Sequence, residues 1–281
     1  MRRHSVCLHI ILMTGGFMKR LLLTATCLLW ATSAQAHDFW LQPATFKMDA
    51  PSEVALAIRI GHAQDQTYWA SDPDRVTSFR HFSAEGTLDI QSSIPAGGKN
   101  ISVPVEASGF HMLAIETTHA FSELPATAFN AYLKEEGLTS IMSARKDAKT
   151  QAEAGREIYS RRGKSLMLVG DVPEAAPDFV AKPLGMTLEI VANPYRANAD
   201  GEIEATVFYR GLPLEGAQIV FVSLDTMAGD IAAKISDEDG LVSFRKPSAG
   251  QWMIHAVWSD PIEDHPMGDF DTTFSSLSFG Y

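Results

Sequence analysis

The sequence predicts a mainly β protein in two parts, an N-terminal β domain that carries a helical insertion and a C-terminal β-sandwich. Short runs of β-branched and aromatic residues recur along most of the chain, and Gly, Pro, Asp and Ser separate them, as expected for strands and turns. Helix-like patterning is confined to residues 124–162. Seven strand-like runs fall within the last 97 residues, 185–281, a density typical of a sandwich.

The N-terminal segment has the pattern of a secretory signal peptide. Two basic residues follow Met18, an apolar run covers 21–31, and the small-x-small sequence 34–36 forms a cleavage signal. We expect Met18 to be the true start and cleavage to follow Ala36, which leaves His37 as the first mature residue. The apolar run is too short to span a membrane. The mature chain is therefore predicted to be a soluble periplasmic protein without a membrane span.

Composition restricts the possible partners. Both cysteines, Cys7 and Cys27, lie in the predicted leader, so a metal in the mature chain would be held by nitrogen, oxygen or thioether ligands. The leader holds four of the 23 basic residues and none of the 34 acidic ones, which leaves 19 basic residues and a mature net charge of −15. This charge argues against nucleic acid as a partner and is compatible with the attraction of cations.

The predicted N-terminal domain covers residues 37–170. Strand-like runs occur at 54–60, 101–105, 110–116 and 164–169. Three helices are predicted within residues 124–162, at 124–136, 138–146 and 152–162. The first has Pro125 near its start and Gly137 at its end, which are common helix boundaries.

A segment rich in proline and alanine, residues 171–185, is predicted to link the two domains. The C-terminal domain, residues 186–281, alternates strand-like runs with turn signals such as Asp200-Gly201 and Asp239-Gly240. Its predicted strands are 187–191, 202–209, 217–224, 231–235, 241–245, 251–258 and 272–279.

Three stretches of the C-terminal domain resemble the transthyretin-like or carboxypeptidase-regulatory-like sandwich. They are residues 208–217, 236–244 and 250–252. The resemblance implies an immunoglobulin-like or transthyretin-like β-sandwich for this part of the chain. It identifies a fold and not an activity.

Motifs along nearly the whole mature chain are similar to those of exported bacterial proteins grouped as domain-of-unknown-function family 4198. The matching segments are 37–43, 59–62, 131–138, 155–164, 193–195 and 276–279. The family is loosely related to periplasmic proteins of nickel uptake, some of which bind the ion near a mature N-terminus. The resemblance therefore implies a role in the uptake or handling of a transition metal. Some relatives have a C-terminal membrane helix that this sequence lacks, which argues against direct transport.

The candidate metal ligands are His37, His62 and Asp38. An N-terminal histidine offers its α-amine and its imidazole, and His62 would add a third nitrogen. Such a planar set suits Cu(II) or Ni(II), and divalent cobalt is a third candidate metal. Asp38 would supply an oxygen ligand or orient an imidazole. We expect a periplasmic binding protein for a divalent transition metal, without enzymatic activity.

Two other functions remain open. A metal-free module could recognise a periplasmic or outer-membrane protein. Alternatively, the two histidines could form the histidine brace of a copper-dependent polysaccharide oxygenase, with Trp40, Tyr68 and Trp69 facing the sugar. The sequence has no nucleophile elbow, phosphate loop or nucleotide fingerprint.

Other polar groups have structural or weaker functional interpretations. His111 and His255 lie within strand patterns and are interpreted as structural. His81 and His119 lie near predicted strand ends, where either could join a metal site. The acidic loop 260–271 could bind a hard cation. A further hypothesis is an anion site formed by three basic side chains, Arg156, Arg161 and Lys164.

Overall fold

The computed structural model describes residues 38–62, 66–69, 72–95, 100–225 and 230–281. Within these ranges the strands are β1 (Phe39–Pro43), β2 (Lys47–Met48), β3 (Ser52–Ile60), β4 (Thr67–Tyr68), β5 (Val76–Ser83), β6 (Gly86–Asp89), β7 (Asn100–Val105), β8 (Gly109–Thr117), β9 (Ala120–Leu124), β10 (Gly155–Val169), β11 (Leu188–Ala192), β12 (Glu202–Tyr209), β13 (Leu212–Pro213), β14 (Gln218–Ser223), β15 (Asp230–Ile235), β16 (Leu241–Arg245), β17 (Gln251–Pro261) and β18 (Phe270–Gly280). The helices are α1 (Ala126–Glu135), α2 (Thr139–Asp147) and α3 (Asp178–Ala181). The chain is mainly β, as predicted.

The described strands form three sheets. The first sheet has the order β1-β3-β4, and β7 also pairs with β3. The central sheet has ten strands, in the order β15-β14-β17-β18-β10-β8-β5-β6, with β2 and β9 paired to β10. The third sheet has the order β11-β12-β13, and β16 pairs with β12.

The first and third sheets cover opposite faces of the central sheet. Successive strand residues point to opposite faces, and β8 and β10 are buried on both sides. Leu113 and Met167 pack in one hydrophobic cluster with Leu56 of the first sheet. Their neighbours Met112 and Leu168 pack in another cluster with strands of the third sheet. The fold is therefore a layered β-sandwich in which the central sheet supplies residues to two cores.

The pairing of β10 with β18 joins the two predicted domains. The strands run parallel over nine residue pairs, from Glu157 opposite Phe270 to Ser165 opposite Ser278. The central sheet therefore takes strands from both sides of the predicted linker 171–185, and one hydrophobic cluster combines residues of both regions. This differs from the prediction of two separate β domains, because β10 completes the C-terminal sandwich as well as the N-terminal one.

The helix predicted for residues 152–162 is wrong. Strand β10 begins at Gly155 and pairs with β9 on one side and β18 on the other. A Cβ atom at Gly155 would lie 2.0 Å from the Phe129 ring, so the strand can approach α1 only with glycine at this position. Backbone hydrogen bonds to two neighbouring strands outweigh the weak helical propensity of the segment. The other two predicted helices are present as α1 and α2.

A buried ion pair connects β10 to the first strand of the third sheet. Lys164 Nζ lies 2.8 Å from Glu189 Oε1, and both side chains are almost fully buried. The Glu189 carboxylate also accepts hydrogen bonds from the backbone N–H groups of Leu184, Gly185 and Met186. Burial lowers the pKa of Lys164, and the Glu189 charge opposes this shift. The pair fixes the chain where it leaves the segment 171–185 and enters the third sheet.

We expect Glu189→Gln to destabilise the fold by about 3–5 kcal/mol, because it leaves a buried ammonium group without its counter-charge. Urea unfolding followed by circular dichroism measures the change. The exposed pair formed by Lys182 and Asp178, 3.0 Å apart, is the matched control. Asp178→Asn should change stability by less than about 1 kcal/mol. Equal effects of the two substitutions would contradict the role assigned to the buried pair.

Candidate functional site

The site forms where β1 crosses the central sheet. Two serines of β18 hold β1 through its carbonyl groups: Ser276 Oγ donates to the Phe39 oxygen at 2.6 Å, and Ser278 Oγ donates to the Leu41 oxygen. Phe39 packs in the core shared with the first sheet, whereas Trp40 packs against β14 and β17. These contacts fix Asp38, the residue immediately before β1, above the central sheet.

Strand pairing brings His62 next to Asp38. Phe39 is opposite Ile60 in the pairing of β1 with β3, so the residues before β1 lie beside those that follow β3. The Gly61 N–H donates to the Asp38 carbonyl at 3.1 Å. Gly61 has φ +124°, a conformation that favours glycine and turns the chain at the strand end. His62 Nδ1 lies 3.8 Å from Asp38 Oδ2.

A second histidine contacts the same carboxylate from below. His255 of β17 places Nδ1 3.1 Å from Asp38 Oδ1. Asp38 and His255 are buried, with 6% and 7% of their surface exposed, while the His62 side chain is 34% exposed. The Asp38 carboxylate therefore lies between a buried imidazole and a partly exposed one.

The predicted ligands are only partly brought together within the described residues. Asp38 and His62 are neighbours, and His37 lies outside the described residues. Across the described ranges, no three His, Cys, Asp or Glu side chains form a closed metal-ligand group.

The sequence interpretation missed His255. Its strand pattern indicated a core position, and it is indeed buried on β17 between Met253 and Val257, the residues that point to the same face. Its proximity to Asp38 depends on β1 lying across β18 and β17, a long-range arrangement that no local pattern encodes. The sequence signal that could have indicated a special role was a histidine within an apolar strand pattern, because a polar side chain is costly to bury without a partner.

The aromatic residues near the site do not form a sugar-facing surface. Trp40 is fully buried, and Trp69 is also buried, with its ring edge-to-face on Phe39 at 5.5 Å. Tyr68 is partly exposed and stacks on the Arg59 guanidinium at 4.0 Å. The two tryptophans are core residues, so the sugar-binding surface of the oxygenase hypothesis is wrong at both positions.

His81 and His111 form a separate buried pair. His111 Nε2 lies 2.8 Å from the Ala107 carbonyl and must donate to it, which leaves Nδ1 as an acceptor. His81 Nε2 lies 2.9 Å from that Nδ1 and donates to it. Burial, together with His111, lowers the pKa of His81 to about 4. Burial also lowers the pKa of His111. The two rings form a chain of neutral hydrogen bonds inside the N-terminal core.

The three basic residues proposed for an anion site do not converge. Arg156 binds Asp269 through two hydrogen bonds, and Lys164 binds Glu189. Arg161 points to the other face of β10, where its guanidinium lies over the Tyr159 and Phe274 rings. The anion-site hypothesis is therefore wrong for this trio, since alternate strand residues face opposite ways.

The acidic loop 260–271 does not gather its described carboxylates around one point. Asp260 accepts from the Tyr209 hydroxyl at 2.8 Å, and Asp269 binds Arg156. Asp271 lies 3.2 Å from His119 Nε2. These three carboxylates serve separate partners, which does not favour a shared cation.

A cavity of about 500 Å³ lies between α2 and the β17–β18 connection, away from the histidines. Its lining includes Arg145, Arg156, Asp269 and Phe270. Arg156 is paired with Asp269, and Arg145 Nη2 donates to the Glu153 carbonyl at 2.7 Å. The cavity thus has internally paired charges and offers no clear ligand chemistry.

The fold defines a mainly β protein of several packed sheets, with a carboxylate–histidine cluster where the N-terminal strand crosses the central sheet. Residues 34–260 match the family described as "Domain of unknown function (DUF4198)", and the chain belongs to this family. No curated protein matches the chain at a significant level. None of the helices in the described ranges is long and apolar enough to cross a membrane.

Three solved structures align with most of the chain at low sequence identity and low TM-score. The D0-D1 domain of intimin aligns with 9% identity and a TM-score of 0.21, covering 85% of this chain and 96% of the other. A segment of two fibronectin type-III domains from chicken tenascin aligns with 9% identity and a TM-score of 0.20. The alignment covers 87% of this chain and 99% of the tenascin segment. Native alpha-2-macroglobulin from Escherichia coli, spanning domains MG0-NIE-MG1, aligns with 10% identity and a TM-score of 0.20. The alignment covers 82% of this chain and 96% of the other. TM-scores this low do not assign the chain to any of these folds or to their functions.

Protonation of His81 should destabilise the protein in acid. His81 in the folded chain takes up a proton only near pH 4, whereas it does so near pH 6.5 in the unfolded chain. The unfolded state therefore binds more protons in this interval, and stability falls as the pH drops from about 6.5 to about 4. His81→Gln keeps a donor for His111 and removes the titration. In urea unfolding across this pH range, the variant's free energy of unfolding should depend on pH less steeply, by the equivalent of about one proton. An unchanged slope would contradict this assignment, and His119→Gln is the exposed control.

Proposed function

We propose that the protein binds a divalent transition metal ion, nickel, cobalt or copper, and serves as a periplasmic accessory in metal uptake or handling. The ligands are the α-amine and imidazole of His37 and the imidazole of His62, with Asp38 beside them. The observation that supports the proposal is the Asp38 carboxylate, which directly follows His37 in sequence and contacts two imidazoles.

The chemistry of the residues fits such an ion. Imidazole and amine nitrogens bind nickel, copper and zinc in preference to magnesium or calcium. A carboxylate beside an imidazole commonly fixes the tautomer and orientation of a metal-binding histidine. The partial exposure of His62 gives an ion a path from solvent to the buried carboxylate.

A metal-free interaction module is the second candidate, and a specific surface favours it. Strand β15 ends the central sheet, and within the described residues it pairs only with β14. Ile231 and Ile235 of this strand are 52% and 59% exposed. An exposed strand edge with apolar side chains can accept a strand from a partner protein.

Metal titration separates the two functions. We expect protein exported with its own leader to have the mass of a chain that begins at His37. It should bind one Ni(II) or Cu(II) in isothermal titration calorimetry, and His37→Ala or His62→Ala should weaken binding by more than about 100-fold, since each removes a ligand. His119→Ala is the control, because His119 is an exposed histidine paired with a different carboxylate.

Two results would contradict the metal proposal. One is a mature N-terminus other than His37, which would remove the amine chelate. The other is binding no tighter in the wild type than in the His62→Ala variant. Retention of binding to a periplasmic partner by both histidine variants would instead support the interaction module.

A further inference from the structure

We infer that Arg75 and Arg161 form a binding site for the carboxylate group of a small organic anion. The site lies beside the end of β8, on the face of β10 opposite Arg156 and Lys164. It goes beyond the proposed metal-binding function, because neither arginine is among the proposed ligands of the ion.

Backbone hydrogen bonds bring the two arginines to the same place. Arg75 directly precedes β5, and its carbonyl accepts a hydrogen bond from the Thr118 N–H at 2.8 Å. The N–H of Arg161, on β10, donates to Thr117 Oγ1 at 3.0 Å. Burial lowers the pKa of Arg161, and the neighbouring Arg75 charge acts in the same direction, while Tyr159 and Glu157 oppose the shift. Two like charges are thus held next to each other.

The Arg161 guanidinium is buried without a counter-charge in the described part of the chain. Only 3% of the residue is exposed, and its Nε atom has no hydrogen-bond partner. No described carboxylate lies within 4.0 Å of the side chain of either Arg75 or Arg161. A buried cation without a partner is costly, which favours an anion as the missing partner. The arginine ion pairs of the described ranges are Arg80–Glu116, Arg156–Asp269, Arg162–Glu116 and Arg210–Asp260.

The next residue along β10 shows how this sheet accommodates a structural arginine. Arg162 Nε lies 3.2 Å from Glu116 Oε2, and Arg162 Nη1 donates to the carbonyls of Thr117 and Arg161. Glu116 and Thr117 are successive residues of β8, so their side chains point to opposite faces. The Glu116 carboxylate therefore serves the face of Arg162, and the face of Arg161 is left without it.

Three aromatic rings hold the Arg161 guanidinium without neutralising its charge. The guanidinium carbon lies 4.5 Å from the centroid of the Tyr159 ring, 5.6 Å from that of Phe274 and 6.0 Å from that of Phe39. The N–H groups of a guanidinium lie in its plane, and a ring that packs on its face leaves them for an acceptor. Arg75 and Tyr159 are partly exposed, which gives an anion a path from solvent.

The charges at the site favour a singly charged carboxylate. A guanidinium presents a planar fork of donors that matches the two oxygens of a carboxylate. The Glu157 carboxyl also acts on Arg161, and it adds a negative charge when it is ionised. A dianion such as phosphate would meet more repulsion from Glu157 than a carboxylate does.

Thermal unfolding of the full mature protein in metal-free buffer tests the site, with acetate as the probe. The melting temperature in about 0.1 M sodium acetate is compared with that in sodium chloride at equal ionic strength, so that screening is the same. We expect acetate to raise the Tm of the wild type by about 3 °C, because a ligand that binds the folded state stabilises it. Arg75→Met and Arg161→Met should each lose most of this increase.

Arg80→Met is the matched control, because Arg80 pairs with Glu116 on the other face of the sheet. It should retain the full response to acetate. Any general effect of acetate on protein stability is common to the wild type and all variants, so the comparison isolates binding at the site.

The stability of Arg161→Met in chloride separates a ligand-binding arginine from a structural one. Methionine keeps an apolar stem against the three rings and removes the unpaired charge, so the Tm in chloride should stay the same or rise. A decrease of more than about 5 °C would show that the guanidinium itself stabilises the fold, and would overturn its assignment to a ligand.

Three further outcomes would overturn the inference. They are a wild-type Tm that is equal in acetate and chloride, a full acetate response in Arg75→Met, and a larger response of the wild type to inorganic phosphate than to acetate. The first removes the site, the second removes the arginine pair, and the third removes the carboxylate as its ligand. None of them bears on the metal proposal, because the buffer contains no metal ion.

Discussion

The parallel pairing of β10 with β18 is the constraint on which the rest of the structure depends. It extends the central sheet through both halves of the chain, so that one sheet serves two hydrophobic cores. It also places Ser276 and Ser278 under β1, where their hydroxyl groups bind the β1 carbonyls. Because β1 is held in this way, Asp38 lies above His255. The candidate site is thus a consequence of the strand order rather than of any local motif.

The face of the central sheet that β1 crosses contains several buried polar side chains. Besides the two serines and His255, it contains Glu157, whose carboxyl is buried and accepts from Thr272 Oγ1 at 2.7 Å. Burial raises the pKa of Glu157 to about 7. Hydrogen bonds from Thr272 and Tyr132 and the Arg161 charge oppose the shift. Such groups are tolerated when partners satisfy them, and most of these side chains have partners. His255 is the buried imidazole on this face, and its Nδ1 atom lies 3.1 Å from Asp38 Oδ1.

Local patterns were sufficient to predict most strands and not their arrangement. The strand runs at 54–60, 110–116 and 251–258 fall within β3, β8 and β17 because alternation and turn residues are encoded locally. Residues 152–162 look helical in isolation, yet β9 and β18 supply hydrogen-bonding partners to this segment that sequence reading cannot see. In the same way, the sequence suggested that Asp38 and His62 lie together, because one follows a predicted N-terminus and the other a predicted strand end. It did not suggest His255, because a parallel pairing between distant strands produces no local sequence pattern.

The strand order also places Asp38, the residue after the predicted mature N-terminus, beside one of the last strands. In the proposed site, the α-amine becomes a ligand only after the leader has been removed, so the complete nitrogen set exists only in the processed chain. His62 follows the end of β3 and His255 lies on β17, and Asp38 contacts both rings. A carboxylate that contacts two imidazoles restricts their orientations, which would lower the ordering cost of ion binding at the proposed site. Because both cysteines lie in the predicted leader, selectivity at the proposed site would come from the number and geometry of its nitrogen ligands rather than from soft sulfur.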